Sequence, residues 1–164
     1  MSLFDLSGRR ALVSGASRGL GLQMAGALAR AGADLVITAR DVTSLQEPRR
    51  QLESYGNTVE CVALDLQHEE SIQAAVETAT ATGHLDILVN NAAIRPSKPF
   101  LEMEDHDWHR VLDIDLNSAF YTCRAFAGGM IEKGWGSKIN ITGMTAIHGY
   151  KGRAPVSAAK HGLW

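Results

Sequence analysis

Short apolar runs alternate with segments of helical periodicity along this chain. The first run, at 10–13, stops at Ser14 and Gly15, and apolar residues between 19 and 31 then recur at helical spacing. A second run, at 34–38, is apolar and β-branched without alternation, which is typical of parallel strands covered on both faces. The pattern therefore predicts a strand, a glycine-containing turn, a helix and a second strand.

The same alternation continues to the last residue. Further strands are predicted at 58–64, 85–89 and 138–142, and helices at 42–55, 69–81, 105–133 and 154–163. Strands that alternate with helices over short connections imply right-handed crossovers and an open parallel sheet. No linker, low-complexity segment or repeat interrupts the pattern, so we expect an α/β fold with a doubly wound parallel sheet and a single domain over 1–164.

Charge and composition exclude several classes of partner. Lys and Arg number 16 against 18 Asp and Glu, which leaves no basic excess for a phosphate backbone, so no nucleic acid partner is expected. No apolar stretch reaches membrane-spanning length and no signal-peptide layout is present, so we expect a cytoplasmic protein without membrane contact. The one close histidine pair, His106 and His109, lies beside acidic residues at a predicted helix start, so no metal is expected.

Three glycines mark the turn between the first strand and the first helix. Gly15 permits a sharp turn, Gly19 lets the backbone approach a pyrophosphate, and Gly21 allows the helix to pack closely against the sheet. Free amides at the helix N-terminus favour an anion there. The turn therefore predicts a nicotinamide dinucleotide site, and the alternative is a purely structural tight turn.

Two arginines bear on which dinucleotide is bound. Arg40 stands at the end of the second strand, where an NAD site places an acidic residue on the ribose hydroxyls, and Arg18 lies within the glycine turn. Two guanidinium groups suit a 2′-phosphate, so NADP(H) is favoured over NAD(H). The alternative is that both are solvated surface arginines, and the acidic Asp41 beside Arg40 weakens the argument for a phosphate.

Two further motifs accompany the glycine turn: Asp65 and Leu66 after the third strand, and Asn90, Asn91, Ala92 and Ala93 after the fourth. With these the sequence resembles the short-chain dehydrogenase/reductase family, in particular gluconate 5-dehydrogenase-like and 3-oxoacyl-carrier-protein reductase-like members. The resemblance implies a Rossmann-type sheet with strand order 3-2-1-4-5. It also implies that the chain is C-terminally incomplete relative to the family, with the last strands absent and the edge of the fifth strand exposed.

The resemblance also implies which residues hold the cofactor. They are Gly15, Ser17, Arg18, Gly19, Leu20, Gly21, Arg40, Asp65, Leu66, Asn91, Ala92, Ala93 and Lys160. Ala93 stands where the family has Gly. Its extra methyl group crowds the backbone near the cofactor unless its φ is negative.

Catalysis in the family uses an Asn, Ser, Tyr and Lys set, of which only Lys160 is retained. The Tyr position is Val156, the Ser position is Gly143, and the Asn position is Asp115. Valine cannot exchange a proton and glycine has no hydroxyl to polarise a carbonyl. Asp115 brings a negative charge near Lys160, which favours an ion pair over a contact with the nicotinamide ribose.

The sequence therefore predicts an NADP(H)-binding domain whose interconversion of a small carbonyl and an alcohol is strongly impaired or absent. One alternative is an active NAD(P)-dependent oxidoreductase of keto acids, keto sugars or acyl ketones with Asp115 or Tyr150 as a substitute proton donor. Another is a non-catalytic scaffold or regulatory partner. A homo-oligomer through the helix around 105–133 is also expected, because the resemblance includes pairing through that helix.

Overall fold

The computed structural model describes residues 4–164 and contains a five-stranded parallel sheet. Its strands are β1 Arg10–Ser14, β2 Asp34–Ala39, β3 Val59–Ala63, β4 Ile87–Asn90 and β5 Ser137–Asn140. Their order is β3-β2-β1-β4-β5, with every neighbouring pair parallel. The doubly wound Rossmann-type fold and its strand order are confirmed.

Six α-helices connect and follow these strands in the described part of the chain. They are α1 Gly19–Arg30, α2 Gln46–Glu53, α3 Glu69–Ala81, α4 Asp105–Leu112, α5 Ser118–Glu132 and α6 Ala154–Leu163. The predicted helix at 105–133 is divided by a π-helical turn at Asp113–Asn117. The predicted helix at 42–55 begins as a short 3₁₀ turn at Val42–Leu45, capped by the side chain of Asp41, and its α-helical part ends at Glu53.

Hydrophobic side chains pack on both faces of the sheet. On one face Val13 of β1 and Ile37 of β2 pack in a buried cluster with Ala25 of α1. On the other face Leu12 and Val36 belong to a second buried cluster with residues of α3 and α5. Successive strand residues point to opposite faces, so an uninterrupted apolar run is what a strand covered on both faces requires.

The edge strand β5 is covered less than the other strands. It pairs with β4, while Lys138, Ile139 and Asn140 are all exposed. Within residues 4–164 the sheet ends at β5, so the outer edge of this strand is exposed, as predicted. In the part of the chain that the structure describes, no helix is long and apolar enough to cross a membrane.

Candidate nucleotide-binding site

The β1–α1 turn has the backbone geometry expected of a glycine turn that approaches a ligand. Gly15 has φ +67 and Gly19 has φ +59, both in the left-handed region that side chains disfavour. A Cβ atom on Gly21 would meet the carbonyl oxygen of Gly15, and it would lie 2.6 Å from Nδ2 of Asn91. Any other residue would be strained by the backbone conformation at Gly15 and Gly19, and by the close contacts at Gly21.

The N-terminus of α1 opens from this turn without a side-chain cap. Arg18 occupies the N-cap position in an extended conformation, and the first turn contains no acidic residue. The first amide groups of a helix have no partner within the helix and carry the positive end of its dipole. The turn and helix start therefore form a local site for an anion.

Hydrogen bonds tie this turn to the end of β4. The hydroxyl oxygen of Ser14 accepts from the backbone N–H groups of Asn91 and Ala92, both at 3.0 Å. Nδ2 of Asn91 donates to the carbonyl of Ser14 at 2.9 Å and lies 3.3 Å from the carbonyl of Gly15. Because Ser14 is buried, these bonds hold the carboxyl ends of β1 and β4 in one arrangement.

A cavity of about 650 Å³ opens at these strand ends. Of the predicted cofactor residues it is lined by Gly15, Ser17, Arg18, Gly19, Leu20, Gly21, Arg40, Asp65, Leu66, Asn91, Ala92 and Ala93. The structure thus brings together every predicted cofactor residue except Lys160. In open α/β sheets such a crevice at the carboxyl ends of the strands is the usual ligand site.

Arg18 and Arg40 both line the cavity and are exposed. Within residues 4–164 neither arginine forms a salt bridge. The nearby Asp41 is engaged elsewhere: its Oδ1 accepts from the hydroxyl of Thr43 at 2.7 Å and from its backbone N–H at 2.9 Å. These bonds lower the pKa of Asp41 and hold its carboxylate on the 3₁₀ turn. Arg40 also borders a smaller cavity of about 400 Å³ with Ser17 and Ser44.

Asp65 and Ala93, which also line the cavity, are both compatible with the local backbone. Oδ1 of Asp65 accepts from the backbone N–H of Gln67 at 3.0 Å, which fixes the loop after β3. No described residue other than glycine has a positive φ, so Ala93 in place of glycine causes no backbone strain.

Lys160 lies on α6 and contacts two groups that do not themselves line the cavity. Its Nζ donates to the carbonyl of Ile141 at 3.0 Å and lies 3.7 Å from Oδ2 of Asp115. The expected ion pair with Asp115 is therefore present. Lys160 is 3% exposed and Asp115 is 2% exposed.

The Asp115–Lys160 pair is anchored on both sides but incompletely hydrogen-bonded. Oδ1 of Asp115 accepts from the backbone N–H of Ile94 at 2.8 Å, whereas Oδ2 has no hydrogen-bond partner in the described part of the molecule. Burial raises the pKa of Asp115 and lowers the pKa of Lys160, each against the attraction of its partner. Burial therefore disfavours the charged form of each group, and the attraction between the two groups acts in the opposite direction.

The two positions that match the family's Tyr and Ser, Val156 and Gly143, offer no reactive group. Val156 is 1% exposed and packs in an apolar cluster with Val111 and Ala159. Gly143 has φ +149, which disfavours any side chain at this position.

The suggested substitute donors also lie outside the cavity lining. Tyr150 is exposed in the segment before α6. Asp115 is buried beneath the loop that contains Ile94. Among the described residues, therefore, neither proposed proton donor lines the cavity.

A profile of the family described as short chain dehydrogenase matches residues 9–164. The chain belongs to this family. The resemblance expected from the glycine turn and the two Asn- and Asp-containing motifs is thereby confirmed.

Two curated proteins illustrate the relationship. The gluconate 5-dehydrogenase of Gluconobacter oxydans is 37% identical over 161 residues, which cover 96% of this chain and 62% of that protein. The 3-oxoacyl-acyl-carrier-protein reductase of Vibrio cholerae is 35% identical over 160 residues, which cover 97% of this chain and 64% of that protein. This chain therefore spans less than two thirds of the length of either relative.

A solved structure extends the similarity to three dimensions. The gluconate 5-dehydrogenase from Burkholderia cenocepacia, in complex with NADP and tartrate, matches with a TM-score of 0.90 and 35% identity. The match covers 98% of this chain and 63% of that chain. The short chain dehydrogenase fold of the described residues is therefore shared over nearly their whole length.

Six residues of the cavity lining were not among the predicted site residues: Thr38, Ala39, Leu64, Ile94, Arg95 and Ile114. The first five lie at or just after the carboxyl ends of β2, β3 and β4, so their proximity to the predicted motifs was a usable signal. Ile114 comes from the π-helical turn, which no local sequence pattern indicated. Arg95 adds a third exposed guanidinium group to the lining.

Proposed function

We propose that this chain is a single dinucleotide-binding domain that holds NADP(H) and lacks the proton-transfer groups for efficient carbonyl reduction. The observation that carries the proposal is the cavity at the strand ends, which gathers the glycine turn, Asp65 and Asn91 beside two arginines that form no salt bridge within residues 4–164. Its volume of about 650 Å³ lies within the usual range for small-molecule and cofactor sites.

The residues present fit a phosphorylated dinucleotide. Gly15 and Gly21 leave space that a Cβ would occupy, and the uncapped start of α1 offers backbone amides to the pyrophosphate. Arg18 and Arg40 suit a 2′-phosphate because a guanidinium group can form paired, charge-assisted hydrogen bonds with phosphate oxygens. The NADP complex of the Burkholderia relative supports this cofactor.

Carbonyl reduction also needs a proton donor and a group that holds the carbonyl oxygen. When bound, the nicotinamide group supplies or accepts a hydride. Val156 has no proton to give to a carbonyl oxygen, Gly143 has no hydroxyl to hold that oxygen, and Lys160 is engaged with Asp115. Loss of the general acid alone lowers turnover by about two to four orders of magnitude, and loss of the second group lowers it further.

Small ketones and alcohols are the proposed substrate class, since the relatives are named for gluconate and 3-oxoacyl substrates. Residual turnover would require a substitute donor. Asp115 is buried and already accepts from Ile94, and Tyr150 does not line the cavity. Both observations favour the impaired form over the active alternative.

Calorimetric titration with NADPH and NADH tests the binding half. Single-turnover oxidation of NADPH with excess protein and keto acids, keto sugars and acyl ketones tests the catalytic half. We expect NADPH to bind at least about tenfold more tightly than NADH, because one charge-assisted phosphate contact is sufficient for that ratio, and no oxidation in a single turnover. Oxidation that disappears in Tyr150→Phe or Asp115→Asn would establish the active alternative, and absence of binding would contradict the proposal altogether.

A further inference from the structure

We propose that Lys160 acts on the ligand cavity through Asp115 and does not contact the ligand itself. In this arrangement Asp115 is a positioning residue that fixes the cavity wall at Ile94, and Lys160 is the counter-ion that keeps the Asp115 carboxylate in place. Because the ligand is the one proposed above, this role of Lys160 rests on the proposed function.

Asp115 connects two parts of the cavity wall that are distant in sequence. It follows Ile114, which lines the cavity from the π-helical turn. Its Oδ1 accepts from the backbone N–H of Ile94, which lines the cavity together with the next residue, Arg95. One buried carboxylate therefore holds the segment after β4 against the π-helical turn.

The wall at Ile94 is also held by apolar packing. The side chain of Ile94 packs against the buried cluster of Val111, Val156 and Ala159, which belong to α4 and α6. Apolar contacts have no preferred direction, whereas a hydrogen bond requires a defined distance and angle. The bond from Ile94 to Asp115 is therefore the contact that specifies where this part of the wall lies.

Lys160 is placed to neutralise Asp115 rather than to reach a ligand. Its Nζ donates to the carbonyl of Ile141 and faces Oδ2 of Asp115, an oxygen without a hydrogen-bond partner in the described part of the chain. Both side chains are almost fully buried. Turning Lys160 toward a ligand would leave a buried carboxylate without its cation, which costs more than one hydrogen bond to a ribose hydroxyl returns.

Calorimetric titration with NADPH at about pH 8 compares the unmodified protein with Lys160→Met and with the double variant Asp115→Asn/Lys160→Met. We expect Lys160→Met to bind at least about tenfold more weakly, because an ionised Asp115 without its cation leaves its buried position and releases Ile94. The double variant should recover to within about threefold of the unmodified protein, since asparagine still accepts from Ile94 and needs no counter-ion.

The double variant separates the two possible roles of Lys160. If it binds NADPH as weakly as Lys160→Met, the lysine contacts the ligand directly and the proposal is overturned. Unchanged affinity of Lys160→Met would overturn it as well. If the unmodified protein does not bind NADPH, the proposed function fails, which is a different result from either of these.

The pH profile of Lys160→Met gives a second readout. Burial raises the pKa of Asp115, while the hydrogen bond from Ile94 and the charges of Lys160 and Arg95 lower it. Without Lys160, a protonated Asp115 still accepts from Ile94 and needs no cation, so the loss of affinity should shrink between about pH 8 and about pH 6.5. A loss of the same size at both pH values would indicate a direct contact between Lys160 and the ligand.

Lys133→Met is the matched control for removal of a buried counter-ion. Lys133 pairs at 3.2 Å with Asp86, which is also buried but lies at the amino end of β4, away from the cavity. Lys133→Met should lower the stability to urea and leave the affinity for NADPH within about twofold. A loss of affinity equal to that of Lys160→Met would show that general destabilisation explains both, and would overturn the proposal.

Hydrogen exchange at the backbone amide of Ile94 tests the positioning role without a ligand and without Lys160→Met. We expect this amide to exchange at least about tenfold faster in Asp115→Ala than in Asp115→Asn, because only asparagine still accepts from it. NADPH should also bind more weakly to Asp115→Ala than to Asp115→Asn. Equal exchange and equal affinity in the two variants would overturn the role of Asp115.

Discussion

Arg40 is the residue on which the preference for a 2′-phosphate depends most directly. It lines both cavities, and the acidic neighbour Asp41 is held by Thr43. Within residues 4–164 Arg40 forms no salt bridge, and it stands at the end of β2 where binding to a ribose hydroxyl would require an acidic residue.

The substitution Arg40→Ala should lower the affinity for NADPH at least about tenfold, because it removes a charge-assisted contact with phosphate. The affinity for NADH should change by less than about twofold, since that ligand has no 2′-phosphate. Calorimetric titration measures both values. Arg50→Ala is the matched control, because Arg50 is an exposed arginine of α2 that does not line either cavity. Equal losses for NADPH and NADH would contradict the assignment.

Asp86 is a buried carboxylate at the amino end of β4, on the side of the sheet away from the cavity. It accepts from the side chains of Arg9 at 3.1 Å and Lys133 at 3.2 Å, and from the backbone N–H of Arg10 at 3.0 Å. Burial alone would raise the pKa of Asp86, but these hydrogen bonds together outweigh burial and lower it.

The substitution Asp86→Asn should lower the free energy of unfolding at pH 7 by about 2 to 4 kcal/mol, because it uncharges the acceptor between two cations. A carboxyl group whose pKa is lowered on folding stabilises the protein above the unfolded value of about 4, and loses that contribution as pH falls through the folded pKa. Urea unfolding from pH 7 to acid should therefore show the two proteins converging. Asp105→Asn, in the exposed first turn of α4, is the control. A difference that is constant with pH would rule out this account.

At the scale of elements, the close approach of α1 to the β1 turn is what shapes the cavity. Gly21 is buried at the start of α1 and faces the carbonyl of Gly15 and the side chain of Asn91. The same helix also contains Gly26, where an added Cβ would meet the movable guanidinium group of Arg30 at 3.3 Å. Substitution of Gly21 therefore tests close packing against the backbone, whereas substitution of Gly26 tests helix propensity alone.

We expect Gly21→Ala to destabilise the protein by about 1 to 3 kcal/mol, because backbone atoms must shift to admit the methyl group. It should also weaken NADPH binding. Gly26→Ala should be neutral or stabilising by up to about 1 kcal/mol, since alanine favours the helix. Urea unfolding and calorimetry check both variants, and equal behaviour of the two would refute close packing as the role of Gly21.

At the scale of the whole molecule, exposed apolar side chains are found on α5 and along the β5 side. Phe120 and Ile131 of α5 are 59% and 77% exposed, and Ile139 of β5 is 43% exposed. An unpaired sheet edge and apolar side chains that face solvent both favour association.

We therefore predict self-association through α5. Light scattering should show an apparent mass that rises with protein concentration, and Ile131→Glu should reduce that rise because it places a charge on the contact face. Leu101→Glu is the control, since Leu101 is 95% exposed but lies outside α5. A monomer at every concentration would contradict the prediction.

Much of this architecture was predictable because it depends on local pattern. Apolar runs without alternation identified β1 and β2, helical periodicity identified α1, and the bounds of α6 agree with the predicted 154–163. The glycine turn and the residues after β3 and β4 indicated one cavity, since parallel strands bring their carboxyl ends to the same edge of the sheet.

The sequence by itself determined the order of strands and helices, the glycine turn, and, through the family resemblance, the proximity of Asp115 to Lys160. Only the tertiary structure decided that this pair is buried, that Lys160 also donates to Ile141, and that Ile114 reaches the cavity from a π-helical turn. The reason is physical. Periodicity and turn chemistry act over a few neighbouring residues, whereas burial and long-range hydrogen bonds depend on how helices from distant parts of the chain pack against one sheet.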